Sequence, residues 1–409
     1  MRAKTFTWVL LLSAALAGAA WYYLGRDAAP PDLQGRLLFP DLRAVLTGAR
    51  AIEITTADES FTLESLEAGG WAVRERHGYP AQTATVRRFL LGVAGLQIRS
   101  RKTSNPDNYA RLDLTAPEDD TESKAARVVI RDEDGGEMAA FLAGRIRPAS
   151  EVENPDPDRG ESGLKDLSQI FVRLPDAPTV WLVEGALDIA RQPTDYINRD
   201  RLTDTPRNAI RSVTVARPSA ADLSVTRAAQ GEDFELQNIA AGMQLKNQFQ
   251  LNDLVDLFVN LKFEDVTSAD EIAWAGDGDG NSGDGGDGAG AGAGLTATMF
   301  AFDKSRVVME QGEDAEGKPW IRLRAEPPPP AANSTDGENA AADSAEDGDA
   351  AESAAPAPDT SRADELNQRW SGWAFQLPDF RHDTLNRGMD ELVEAEDEAD
   401  GDGDDESGG

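Results

Sequence analysis

One amphipathic stripe occurs twice in this chain. Val86, Phe89, Leu90, Val93 and Leu96 follow the spacing i, i+3, i+4, i+7, i+10, and Leu251, Leu254, Val255, Phe258 and Leu261 repeat it 165 positions later. Apolar residues at those intervals line one face of an α-helix. Any two amphipathic helices would agree this far, but the flanking segments extend the agreement. Short β-type runs precede the first helix at Ile52–Thr55, Phe61–Leu63 and Trp71–Val73, and the second at Val213–Val215, Leu223–Thr226 and Phe234–Leu236. Further runs follow the first at Arg127–Ile130, Ile170–Leu174 and Val180–Val183, and the second at Thr298–Phe302, Trp320–Leu323 and Trp373–Leu377. Their alternation and their β-branched and aromatic content predict half-buried antiparallel strands. Each half closes on a candidate helix, at Leu187–Tyr196 and Phe380–Leu392.

The expected fold class is therefore α+β: a tandem duplication of a small unit of antiparallel strands packed with one or two helices. Residues 31–205 make the first unit and 206–392 the second, after residues 1–30. A Gly/Asp stretch at 275–294 and a Pro/Ala/acid stretch at 327–364 read as disordered inserts in the second unit, and 393–409 as a disordered acidic tail. The second insert takes the place of the short turn Pro175-Asp176-Ala177-Pro178. Long surface insertions of this kind carry a small closure penalty.

The net charge of −34 is concentrated in these segments. Residues 275–294, 331–360 and 390–409 carry 23 acids and no base, which leaves −11 for the rest of the chain. Single-sign blocks stay solvated because they repel and carry little to bury. The sign argues against a nucleic-acid partner, whose phosphates need Lys and Arg. There is no cysteine, so thiol chemistry, disulfides and Cys-ligated metal are excluded.

Phe6 to Leu24 is an uncharged run of 19 residues, close to the ~20 needed to cross a bilayer core. Arg2 and Lys4 precede it and place the N-terminus in the cytoplasm. Trp21, Tyr22 and Tyr23 fall at the outer interface. A cleaved signal peptide ending at Ala17-Gly18-Ala19 is the competing reading, against which the apolar run continues past that site. Either way the body is exported. The expectation is an inner-membrane anchor with a periplasmic or extracytoplasmic body.

Gly70-Trp71, Gly78-Tyr79-Pro80-Ala81, the helix Val86–Leu96, Lys102-Thr103-Ser104-Asn105 with Tyr109, Gly144-Arg145, Phe171-Val172-Arg173 and Val180-Trp181-Leu182-Val183 occur in that order. In this the chain resembles the bacterial family catalogued as domain of unknown function 4340, from about residue 45 to Leu392. The resemblance implies an anchored, exported domain often encoded beside ABC-transporter subunits of the gliding-motility type. It implies no catalytic residues.

A search for chemistry assigns no catalytic, cofactor-binding or metal residue. The two histidines, His77 and His382, read as solvated loop residues, since no nucleophile elbow accompanies them. Asp277-Gly278-Asp279-Gly280-Asn281 opens like a calcium loop but has Ser282 at position six and Gly288 at position twelve, so a spacer is the better reading. No phosphate-cradling glycine motif is present. The carboxylate pairs Asp119-Asp120 and Glu151/Glu153 are expected to be solvated. Arg99, Arg101 and Lys102 are expected on a strand with solvent-facing charge. The resulting functional expectation is a non-enzymatic accessory or interaction module of an ABC-transporter or envelope complex, with no cofactor. The alternative is an extracytoplasmic small-ligand or glycan-binding domain.

Overall fold

The computed structural model describes residues 33–147, 168–274 apart from 201 and 219, 294–328 and 360–395. The chain is mixed α+β, built mainly from antiparallel sheets with few helices. It divides into two compact units between Asn198 and Arg199. No helix among the described residues is long and apolar enough to cross a membrane, and the expected anchor Phe6–Leu24 lies outside them.

In the first unit, β1 (Ala51–Thr55), β2 (Ser60–Ser65), β3 (Trp71–Val73) and β4 (Tyr79–Ala81) form a meander, and α1 (Thr83–Ala94) follows. β5 (Gln97–Thr103), β6 (Ala126–Arg131), β7 (Glu137–Arg147), β8 (Ser168–Arg173) and β9 (Val180–Gly185) complete a nine-stranded sheet of order β4-β3-β2-β1-β6-β7-β8-β9-β5. Period-two patterning fixes the register. In β1, Ile52 and Ile54 point into the core, while Glu53 points out and pairs with Arg131 of β6 at 2.8 Å. The stripe of α1 buries Val86, Phe89, Leu90 and Val93. Burial of each such side chain stabilises by about 1.5–3 kcal/mol. The outer edge of β5 is covered by the chain's entry: Gly35 N donates to Ile98 O and Leu38 N to Leu96 O, both at 2.8 Å.

In the second unit, β10 (Ile210–Arg217), β11 (Ala220–Thr226) and β12 (Glu235–Leu236) precede β13 (Met243–Leu245) and α2 (Gln248–Val255). β14 (Asp265–Ser268), β15 (Ala273–Trp274), β16 (Thr296–Ala301), β17 (Arg306–Glu313), β18 (Pro319–Glu326), α3 (Ser361–Trp370), β19 (Trp373–Gln376), α4 (Asp379–Asn386) and β20 (Val393–Ala395) follow. The main sheet runs β12-β11-β10-β16-β17-β18-β19-β14, with β15 on β17, and β13 pairs β20 separately. The entry segment again bonds to the residues after the helix, with Leu202 N donating to Leu261 O at 2.8 Å.

Several expectations are corrected. Leu187–Tyr196 is no α-helix: residues 186–191 are irregular and only Pro193–Tyr196 forms a 3₁₀ turn. Its buried residues Leu187 and Ile189 are two apart, a strand-like interval, and Pro193 has no N–H for a helical bond. The second stripe is helical only to Val255, and Leu257 and Phe258 then bond three residues back to Leu254 and Val255. All five stripe residues are nonetheless fully buried. Order also enters the expected insert, since α3 starts at Ser361, and the expected tail, since β20 runs to Ala395. His382 lies on α4, half-buried, with its ring against Gln311 at 3.3 Å and Asn386 at 3.0 Å.

Candidate functional site

Two consecutive turns of α1 expose Thr83, Ala84, Arg87, Arg88 and Leu91 because the apolar stripe faces the sheet. Opposite this face runs the chain leaving β9. Between them lies a groove of about 740 Å³, bounded by Arg87, Arg88, Leu91, Gln97, Glu184 and Ala186. It continues past Arg88 and Ala186 into a hollow of about 560 Å³ that reaches Ser168, Asp188 and Tyr196.

The floor is made of small residues for a steric reason. A Cβ on Gly92 would stand 2.5 Å from the carbonyl oxygen of Ala186, and one on Gly185 would stand 3.0 Å from the Leu96 side chain. Helix and departing chain therefore meet backbone to backbone. Glu184 is already engaged: Arg99 Nε and Nη2 donate to its two carboxylate oxygens at 2.8 and 2.6 Å across the β5–β9 pair. Arg87, Arg88 and Asp188 have no ion-pair partner among the described residues, and Leu91 is 48% exposed.

The wall opposite α1 is an extended stretch. From Ala186 to Ala190 exposure alternates, with Leu187 and Ile189 buried and Ala186 and Asp188 exposed. Among the described residues, Ala186–Ile189 make no backbone–backbone hydrogen bond. At the inner end Tyr196 is 1% exposed and packs 5.8 Å from Phe61 and edge-on to Phe89. Among the described residues its hydroxyl makes no hydrogen bond of standard geometry, although the backbone of Ala190 acts on it and opposes the rise of its pKa. Burial, and after it the charges of Asp188 and Asp195, push its pKa well above the ordinary value of 10. The arrangement offers two cations and an exposed leucine beside a floor of small residues.

The second unit has a hollow of about 570 Å³ bounded by Asp270, Glu310, Arg322, Trp370 and Trp373. Its charged and amide groups are mostly engaged within the unit. Arg322 bonds Glu310 at 2.5 Å and stacks over Trp274 at 4.6 Å, and Asn367 clamps both backbone groups of Ala325 at 2.8 Å.

The residues singled out in the sequence fall elsewhere. His77 is exposed in a left-handed turn, and Asp119 and Asp120 are exposed. Arg99 is half-buried in its ion pair, against the solvent-facing expectation, whereas Arg101 bonds Ser104 at the surface at 2.7 Å. Glu151, Glu153 and residues 277–288 lie outside the described residues. No group of three metal-ligating side chains occurs among the described residues. Residues that carry the family resemblance act structurally. The Tyr109 hydroxyl donates to Pro178 O at 2.8 Å beneath Arg173, whose guanidinium lies 4.6 Å from its ring, and Gly144 admits the backbone of Leu112. Sequence reasoning missed the groove because it read 187–196 as helix. The adjacent Arg87-Arg88 on the polar face of the stripe was the available signal.

A family model, described as a domain of unknown function (DUF4340), matches residues 71–276 and so includes every groove residue. No curated protein and no solved structure matches the chain.

Proposed function

This chain belongs to the DUF4340 family, and we propose that it is a single-pass, membrane-anchored extracytoplasmic protein acting as a non-catalytic accessory module of an ABC-transporter or envelope complex. The observation that carries this reading is the groove beside α1. Lining it are two arginines with no ion-pair partner among the described residues and an exposed leucine, which suit contact with a protein surface. The 19-residue apolar run Phe6–Leu24, with Arg2 and Lys4 before it, supports the anchor and its orientation.

We further infer that the body arose by tandem duplication. In support, the first sheet read from β3 runs 3-2-1-6-7-8-9-5, and the second sheet visits corresponding elements in the same order. In both units a helix follows the first meander, and the entry segment bonds just past that helix.

Affinity purification of the full-length protein from crosslinked native membranes, read by mass spectrometry, tests the functional reading. Recovery of transporter or envelope subunits is expected. A preparation that retains the anchored protein and returns no such partner would refute the module.

A further inference from the structure

We propose that the hollow of the second unit binds a neutral saccharide. This stands apart from the partner reading, which concerns the first unit. The floor of the hollow is one face of the β17–β18 pair, where Glu310 stands opposite Arg322 and Val308 opposite Arg324. Asn367 and Trp370 of α3 form one wall. The other is the 3₁₀ turn Ala269–Glu271 together with the turn at Ser371 and Gly372 that leads into Trp373. Each wall is pinned from behind. Trp370 Nε1 donates to Leu202 O at 3.0 Å, Trp274 Nε1 to Ala269 O at 2.8 Å, and Ala269 N to Gly372 O at 2.9 Å. Asn367 is held on Ala325. A hollow of about 570 Å³ whose walls are fixed by bonds made elsewhere is preformed for a small ligand.

Charge and hydrogen-bonding capacity name that ligand. The four charged side chains on the lining, Asp270, Glu310, Arg322 and Arg324, sum to zero, so net charge draws neither an anion nor a cation into the hollow. Glu310 bonds Arg322 and Arg324 pairs with Glu326, and these groups keep further lone pairs and N–H donors. The Asp270 carboxylate and the Ser371 hydroxyl are exposed and make no hydrogen bond or ion pair among the described residues. Acceptors and donors thus stand together around an uncharged space, which suits hydroxyl groups because each one both donates and accepts. A purely apolar ligand would cover Asp270 and the arginines without offering them partners. Half-buried Trp373 supplies the remaining element, since the negative face of an indole attracts the C–H face of a pyranose ring.

The test uses the full-length protein in a detergent that contains no sugar. The probes are the methyl glycosides of cellobiose, lactose, mannobiose and diacetylchitobiose, read by saturation-transfer NMR with irradiation of the protein's aromatic protons. Saturable transfer to the ring C–H protons of one or more of these probes is expected, with weaker binding of methyl glucuronide and methyl glucosaminide, whose charges the hollow does not balance. Affinity should fall about tenfold or more for Asp270→Ala, an exposed position whose change leaves the thermal melt as it was. Trp373→Ala should abolish the transfer, and Trp373→Phe, which keeps a ring there, should retain it. Absence of saturable binding by all the neutral probes overturns the proposal, as does unchanged affinity of Asp270→Ala. Tighter binding of either charged glycoside overturns it too. So does binding that appears only after residues 329–358 are removed, since the chain's own segment would then be the occupant.

Discussion

Tyr196 shows at the scale of one residue what the fold tolerates. A buried hydroxyl without a partner costs about 1–3 kcal/mol relative to its solvated state. Tyr196→Phe is therefore expected to raise stability by about 1 kcal/mol in urea denaturation at neutral pH. The raised pKa also has a signed consequence. The fold holds the phenol neutral, so its contribution is fully present below the ordinary value of 10 and is lost as the pH climbs beyond it. Tyr196→Phe should move the alkaline unfolding midpoint to higher pH, and an unmoved midpoint would contradict the raised pKa. Arg227 makes the opposite case. It is 6% exposed, donates to Ile210 O at 2.8 Å and Arg207 O at 2.5 Å, and stacks over Phe234. Burial, and then the like charge of Arg207, lower its pKa, and it shares Arg207 O with the backbone N–H of Ile210. Arg227→Met is expected to cost about 1–3 kcal/mol in the same assay. Neither role was legible in the sequence, because a buried tyrosine and a buried arginine carry no local pattern.

Among elements, legibility followed periodicity. β1 and β10 alternate and were found; β7, Glu137–Arg147, escaped because it pairs on both sides and buries six residues in a row, Ala139 to Gly144. α3 escaped because only Ala363, Leu366 and Trp370 of its ten residues are buried. That narrow stripe, with the Asn367 clamp on Ala325, makes α3 the cover of β18. Deleting residues 329–358 while keeping α3 should therefore leave both transitions of a thermal melt in place. The shorter closure should add about 2 kcal/mol or less to the second unit. Loss of its transition would mean that the removed residues belong to the fold. At the groove, Gly92→Val would push Ala186 away and is expected to lower the stability of the first unit by about 1–3 kcal/mol, the usual cost of overpacking. An unchanged melt would contradict the close approach of α1 and the departing chain. The strand-like interval of Leu187 and Ile189 was present in the sequence, but the expectation of matched helices at the ends of both halves overrode it.

At the scale of the whole molecule, the acid-rich stretches fall mostly outside the described residues, which divide into two compact units. Composition marks those stretches, and the division of the chain falls between Asn198 and Arg199, seven residues before the expected boundary. Composition could not locate a binding surface, because the groove joins α1 to a segment about 100 residues away in sequence. That joining depends on the sheet order that brings β9 beside β5. The central claim is that this groove is where the protein meets its partner. The most direct measurement places a photo-reactive phenylalanine analogue at position 91 of the full-length protein in native membranes, with a second at exposed Phe249 as comparison. The account predicts crosslinks to a membrane-complex subunit from position 91 that disappear with Arg87→Glu/Arg88→Glu. Equal crosslinking from both positions, or crosslinks from position 91 that survive the arginine reversals, would contradict it.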